Sequence, residues 1–170
     1  MFANKKLLNN TDLDASIKLQ ICKSIIRPTV TYGFETWAIT VTEQNRLLVF
    51  ERRVLRKIYG PTLDNDGTWR IKTNEELEIL SKKKSIVSFT KSQRLRWAAH
   101  VSRMDTTRIV RKVTEWEPCS SRPVGRQRLG LLDQVEEDLK KMKVRNWREK
   151  CKDRRLWNEI VKQAKTHQGL

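Results

Sequence analysis

The stretch Thr42-Glu43-Gln44-Asn45-Arg46-Leu47-Leu48-Val49-Phe50-Glu51-Arg52-Arg53-Val54-Leu55-Arg56-Lys57-Ile58-Tyr59-Gly60-Pro61 decides the fold class of this chain. No glycine or proline interrupts it before Gly60-Pro61, a strong helix stop. At ~100° per residue, Leu47, Leu48, Val54, Leu55 and Ile58 fall on one side of a helix. Arg46, Arg52, Arg53, Arg56 and Lys57 fall on the other, with Val49 and Glu51 as exceptions. One face is built to be buried and the other to carry positive charge.

The same period continues in both directions. Upstream, Leu13, Ile17, Ile21 and Ile25 lie four apart and predict one helix stripe, with Thr11 or Asp12 as its cap and Pro28 kinking or ending it. Thr31 to Trp37 reads as an aromatic turn. Downstream, residues 61–73 read as a loop with turn chemistry at Asp64-Asn65-Asp66-Gly67, and Asn74 as the cap of a short helix holding Leu77 and Leu80. A longer helix over about 85–104 aligns Trp97, Val101 and Met104, with Arg96, His100 and Arg103 on the neighbouring stripe. Ile109 to Trp116 gives another helical stretch. Leu132, Val135, Leu139 and Met142 line a further helix, with Asp133 as its cap. Trp147 to Ala164 reads as one kinked helix or two short ones, the last starting at Asp153 with Trp157, Val161 and Ala164 inward.

The expected fold is therefore all-α, a small helical bundle followed by a second helical segment. It divides into a helical pair over 1–60, a helical extension over 61–117, a basic Pro/Gly/Ser linker over 118–130 and a C-terminal segment over 131–170. Hydrophobic residues are 38% of the chain, a modest supply for a core. The expected fold is marginal, and its core is not large enough to guarantee that it folds alone.

Charge points to the partner. The chain holds 36 Lys+Arg against 20 Asp+Glu, a formal net charge of +16 in 170 residues. The surplus is spread over the whole length rather than gathered in a tail. Such self-repulsion is readily explained by a polyanionic partner, RNA or DNA bound through its phosphates. No apolar run approaches the ~20 residues of a membrane span, and the N-terminus lacks the apolar core of a secretory signal. Cys22, Cys119 and Cys151 are odd in number and widely spaced, which suits a reducing compartment. The expected setting is intracellular, nuclear or cytoplasmic, without a membrane partner.

Little in the sequence could do chemistry. His100 and His167 are the two histidines, and neither stands near a second metal-ligand type at suitable spacing. No phosphate-binding glycine loop and no nucleophile elbow occur. Asp64 and Asp66 sit in a turn. Asp133, Glu136, Glu137 and Asp138 read as a capped, solvated helix face rather than the clustered carboxylates of a two-metal site. No catalytic residue, metal or cofactor is expected. The candidate nucleic-acid contacts are Arg46, Arg52, Arg53, Arg56 and Lys57, with Arg94, Arg96, Arg103, Arg126 and Arg128 beyond them. Trp97 and Trp69, each beside an arginine, could stack bases, although tryptophans at helical spacing more often belong to a core.

Several segments then fall into a recognisable order. They are Ile26-Arg27-Pro28, Tyr32-Gly33-Phe34-Glu35-Thr36-Trp37, Phe50 to Gly60, Trp69-Arg70 with Asn74-Glu75-Glu76-Leu77, Arg94-Leu95-Arg96-Trp97 with His100 and Arg103-Met104, Asp133 to Leu139, Trp147, and Asp153-Arg154 with Trp157. From about Leu7 onward the chain resembles the C-terminal region of reverse transcriptases of non-LTR (LINE-type) retrotransposons, the thumb and the helical segment beyond it. The resemblance implies a thumb that packs beside a polymerase palm and holds template–primer, with the cationic helix face toward the duplex. It also implies a missing partner, because the aromatic-Ala-Asp-Asp motif of the catalytic palm is absent from these residues. A second departure lies at Gly125 to Asp133. There Gln127 replaces the proline of a Gly-Arg-Pro motif, and Leu131-Leu132 stands where that family carries Arg-Trp. Together the departures imply a truncated or decaying copy that does not polymerise by itself.

Overall fold

The computed structural model describes residues 8–10, 12–81, 85–116 and 130–166. The fold is all-α. In chain order it runs α1 (Ala15–Ile21), a π-helical turn (Cys22–Ile26), α2 (Arg27–Val30), a 3-10 turn (Phe34–Thr36), α3 (Val41–Tyr59), β1 (Thr62–Leu63), β2 (Trp69–Arg70), α4 (Asn74–Leu80), α5 (Ile86–Ser102), α6 (Ile109–Glu115), α7 (Leu131–Lys141), α8 (Trp147–Lys150) and α9 (Arg154–Ala164). Among the described residues no helix is long and apolar enough to cross a membrane. The contacts divide the chain into two compact units. One holds the residues up to Tyr32 with Thr40–Val87, and the other holds Gly33–Ile39 with the chain from Ser88 onward.

In the first unit, Ile26, Val54, Ile58 and Leu8 form the core, with Leu19, Cys22, Val30, Phe50 and Tyr59 against it. The expected stripe is corrected here. Ile17 and Ile25 lie exposed at 42% and 46%, and the inward positions are Leu19, Cys22, Ile26 and Val30. The buried set keeps ordinary three- and four-residue spacing but starts at Leu19, so the expected stripe is offset already at Ile17. A π turn follows, in which the Arg27 N–H reaches back five residues to the Cys22 carbonyl. Pro28 does not end the helix, which continues to Val30. A proline ring clashes with the carbonyl four residues earlier, and the wide turn lies directly before it.

α3 starts from a capping box. The Thr40 hydroxyl accepts from the Glu43 N–H, and the Glu43 carboxylate accepts from the Thr40 N–H at 2.7 Å. It stops at Gly60, whose φ of 66° a side chain would resist. Leu47, Val54, Leu55 and Ile58 are buried. Glu51, the exception on this helix, is half-buried. It accepts from Arg27 at 2.8 Å and from the Ile86 N–H at 2.8 Å, and burial pushes its carboxyl above the ordinary range. The expected loop over 61–73 is a hairpin, Thr62 opposite Arg70 and Leu63 opposite Trp69, turned by Gly67 at φ 78°. The cap of α4 is Thr73, paired reciprocally with Glu76, so Asn74 is the first helical residue and not the cap.

The core of the second unit joins Leu95, Ala98 and Ala99 of α5 to Val135 and Leu139 of α7, Trp147 of α8, Cys151, and Trp157, Ile160, Val161 and Ala164 of α9. The Trp157 indole N–H donates to the Leu95 carbonyl at 3.1 Å. The Trp147 and Trp157 rings lie 6.1 Å apart. Asp153 caps α9 by accepting from the Arg155 and Leu156 N–H groups. Asp133 is not the cap of α7. It sits three residues into the helix and accepts from the Gly130 N–H at 2.8 Å.

This unit also buries charge. Asp138, expected on a solvated face, is 3% exposed and is held by Arg94 and by Lys91 at 3.3 Å. Arg94 also donates to the Gln134 side-chain carbonyl. Gln134 in turn copies a strand partner. Its amide N–H donates to the Ile39 carbonyl at 2.9 Å, and its oxygen accepts from the Ile39 N–H at 3.0 Å. These contacts fasten the segment Gly33–Ile39 to α7.

Candidate nucleic-acid interface

On α3 the cationic face splits in two. Arg46, Arg53 and Lys57 are exposed. At 1.5 Å rise per residue they span about 16 Å of helix, on positions that return to one side after two and then three turns. Arg53 and Lys57 form no ion pair among the described residues. Arg46 lies one turn from Glu43, whose carboxyl is held low first by its bonds to Thr40 and in a smaller part by Arg46.

Arg52 and Arg56 do different work. Arg52 stands 3.5 Å from Glu78 of α4. Arg56 donates through Nε to the Lys72 carbonyl at 3.3 Å and through its terminal nitrogen to Asn74 Oδ1 at 2.9 Å. These two arginines contact α4 and the chain before it, and so are less available to a phosphate backbone than Arg46, Arg53 and Lys57.

The remaining candidates scatter. Arg94 is 1% exposed and committed to Gln134 and Asp138, so no external phosphate reaches it. Arg103 is half-buried and donates to the Cys151 carbonyl at 2.7 Å. Arg96 is exposed and unpaired among the described residues. Arg126 and Arg128 lie outside the described residues, as do Cys119, His167, Thr11 and most of the 118–130 linker. Trp69 is 70% exposed, but its neighbour Arg70 is pinned by Asp64 at 3.1 Å and by both oxygens of Glu76. That pairing lowers the Glu76 carboxyl to about 2. Trp97 is half-buried beside His100, with ring centroids 5.8 Å apart.

No group of three His, Cys, Asp or Glu among the described residues is placed to hold a metal ion. The Asp66 carboxylate accepts from the Thr68 hydroxyl and N–H, which keeps it low and commits it to the hairpin turn. Cys22 is half-buried, and that burial raises its thiol. What the site can do is offer a line of guanidinium and ammonium groups to a phosphate backbone. One cationic region did not figure among the sequence candidates, the run Lys140-Lys141-Met142-Lys143-Val144-Arg145-Asn146-Trp147-Arg148. Its signal was there in the density of cations alternating with apolar residues, but it straddles a helix end and so has no helical stripe to mark it.

The chain is 27% identical over 167 residues to an uncharacterized transposon-derived protein of Caenorhabditis elegans. The match covers 94% of this chain and 60% of that protein, so the chain spans less than two thirds of its relative's length. No family model matches the sequence, and no solved structure matches it. The likeness supports a transposon-related origin.

Proposed function

We propose that this chain is a nucleic-acid-binding, thumb-like part of a non-LTR retrotransposon reverse transcriptase, gripping RNA or DNA template–primer by its phosphates and polymerising nothing by itself. The observation that carries this is the stripe Arg46, Arg53 and Lys57, exposed along one side of a capped helix whose other side is core. The ordered motifs, the net charge of +16 and the transposon-derived relative lend support. Phosphate contact belongs to Arg46, Arg53 and Lys57, with Arg96 as a further exposed cation. Arg52 and Arg56 support the stripe from behind.

The test is a salt titration of the full chain with labelled RNA–DNA hybrid, duplex DNA and single strands. Binding should weaken with salt at a slope of about 0.9 per phosphate contacted on duplex. Arg53→Gln/Lys57→Gln should lower that slope by about 1.8, two contacts' worth. An unchanged slope in a folded variant rejects the stripe.

A second reading, that the chain is a helical packing element for the parent polymerase's palm or a remnant with no selected function, rests on a different observation. Ile17, Ile25, Val41 and Val49 of the first unit are all exposed. Under it the purified chain binds no nucleic acid even at low salt, and it takes up a dye specific for apolar surface.

A further inference from the structure

α7 ends in a six-residue wrap. The Val144 N–H donates to the Leu139 carbonyl at 2.9 Å and the Lys143 N–H to the Lys140 carbonyl at 3.0 Å. This pairing closes many helices, and the residue it forces into the left-handed region is usually glycine. Here that residue is Lys143, at φ 57°, and three positions later Asn146 adopts φ 53°. Asparagine tolerates that conformation, whereas a lysine there is a departure from the usual choice. Between them Val144 turns inward against the core. Lys143 and Arg145, on either side of it, are left exposed.

The loop opens on a cleft of about 1060 Å³. Lys140, Lys143, Arg145 and Arg148 line it against the two carboxylates Glu136 and Glu149. None of the four cations forms an ion pair among the described residues. Lys140 also complements the negative end of α7, but Arg145 and Arg148 lie past that end and gain nothing from it. Arg148 instead rests over the Trp147 ring, 5.5 Å from its centroid, which holds the guanidinium in place. Strained backbone, a concave wall and unneutralised cations occur together.

We infer that the cleft between α7 and α8 is a second nucleic-acid site, taking a phosphodiester backbone on Lys140, Lys143, Arg145 and Arg148. It uses none of the residues of the stripe on α3. Trp147 is buried, so the site grips phosphates and does not stack bases.

The test measures binding of the full chain to a labelled single-stranded oligonucleotide across salt concentrations. Lys143→Ala/Arg145→Gln removes two charges and should lower the salt slope by about 1.4 on single strands. Lys143→Gly should weaken binding as much as Lys143→Ala, yet raise Tm by about 2–4 °C, because it relieves the left-handed lysine. Arg53→Gln/Lys57→Gln is run beside them. If only that pair loses affinity, the cleft is not a site and the α3 reading stands. If only the cleft variants lose affinity, the reverse holds. The proposal is also overturned if the native chain fails to bind the strand at low salt, or if the cleft variants alter binding to anionic lipid vesicles but not to the oligonucleotide.

Discussion

Replacing Asp138 by asparagine should do more damage than any change to the exposed cations. The Asp138 side chain is 4% exposed and faces Arg94 at 2% and Lys91 at 7%. Two buried cations thus share one buried carboxylate. The neutral amide leaves both without a counter-charge and turns one acceptor into a donor facing donors. Removing one partner from a buried ion pair costs about 3–5 kcal/mol, a large share of the roughly 5–15 kcal/mol that holds a domain together. At about 2–4 °C per kcal/mol for a chain of this size, Tm should fall on the order of 10 °C. Urea unfolding of the full chain, followed by tryptophan fluorescence, reads it directly, since Trp147 and Trp157 lie buried in the same unit. An all-apolar set, Lys91→Met/Arg94→Met/Asp138→Leu, should recover most of the loss, because desolvation of the charges disappears with them. A stability loss below about 1 kcal/mol for Asp138→Asn would refute the account, since the two cations would then have found other compensation.

Other consequences can be checked on the same material. Glu76, held near 2 by Arg70, has its folded pKa below the unfolded value, so the stability it adds is present above about 4.5 and lost as pH falls toward 2. Glu76→Gln should lower stability at neutral pH, leave it nearly unchanged near pH 2, and so flatten the acid limb of the stability curve. Glu51 runs the other way. Its raised carboxyl adds stability at low pH that is lost as pH rises through the shifted value, so Glu51→Gln should gain relative to native as pH increases. Thr40→Ala breaks the capping box of α3 and should cost about 1 kcal/mol, seen as an earlier midpoint in helix melting by circular dichroism. Gly60→Ala, forced to φ 66°, should cost on the order of 1–2 kcal/mol without altering the slope of nucleic-acid binding.

Periodicity made the helices legible. α3, α7 and α9 carry strong stripes, and their inward residues are those the spacing picks out: Val54 and Ile58, Val135 and Leu139, Trp157 and Val161. It misplaced the first helix because two sets at helical spacing compete there, and the buried one, Leu19, Cys22, Ile26 and Val30, includes a cysteine where the other is almost all isoleucine. It also misassigned caps. Asn74 and Asp133 are good capping residues in isolation, but Thr73 and Gly130 stand one step and three steps earlier and start the helices. The cationic face of α3 was half visible. Sequence sorts Arg46, Arg52, Arg53, Arg56 and Lys57 onto one side, but only the position of α4 separates braces from exposed cations. Arg94 was least legible of all. An arginine next to a tryptophan looks like a surface contact until its carboxylate partner, Asp138, is found 44 residues downstream.

The amide of Gln134 has a consequence in time. Its partner Ile39 lies 95 residues earlier in the chain. At about 5–20 residues per second, a ribosome delivers Ile39 roughly 5–20 s before Gln134 exists. Through that interval the two hydrogen bonds between Ile39 and the Gln134 amide cannot form. Gly33–Ile39 interrupts the chain of the first unit, whose following residues through Val87 are synthesised during the wait. The segment is thus made well before the residue that fastens it to α7. Synonymous codons that slow translation between these two positions lengthen its exposure to proteases and to strand-like mispairing, without changing a single side chain.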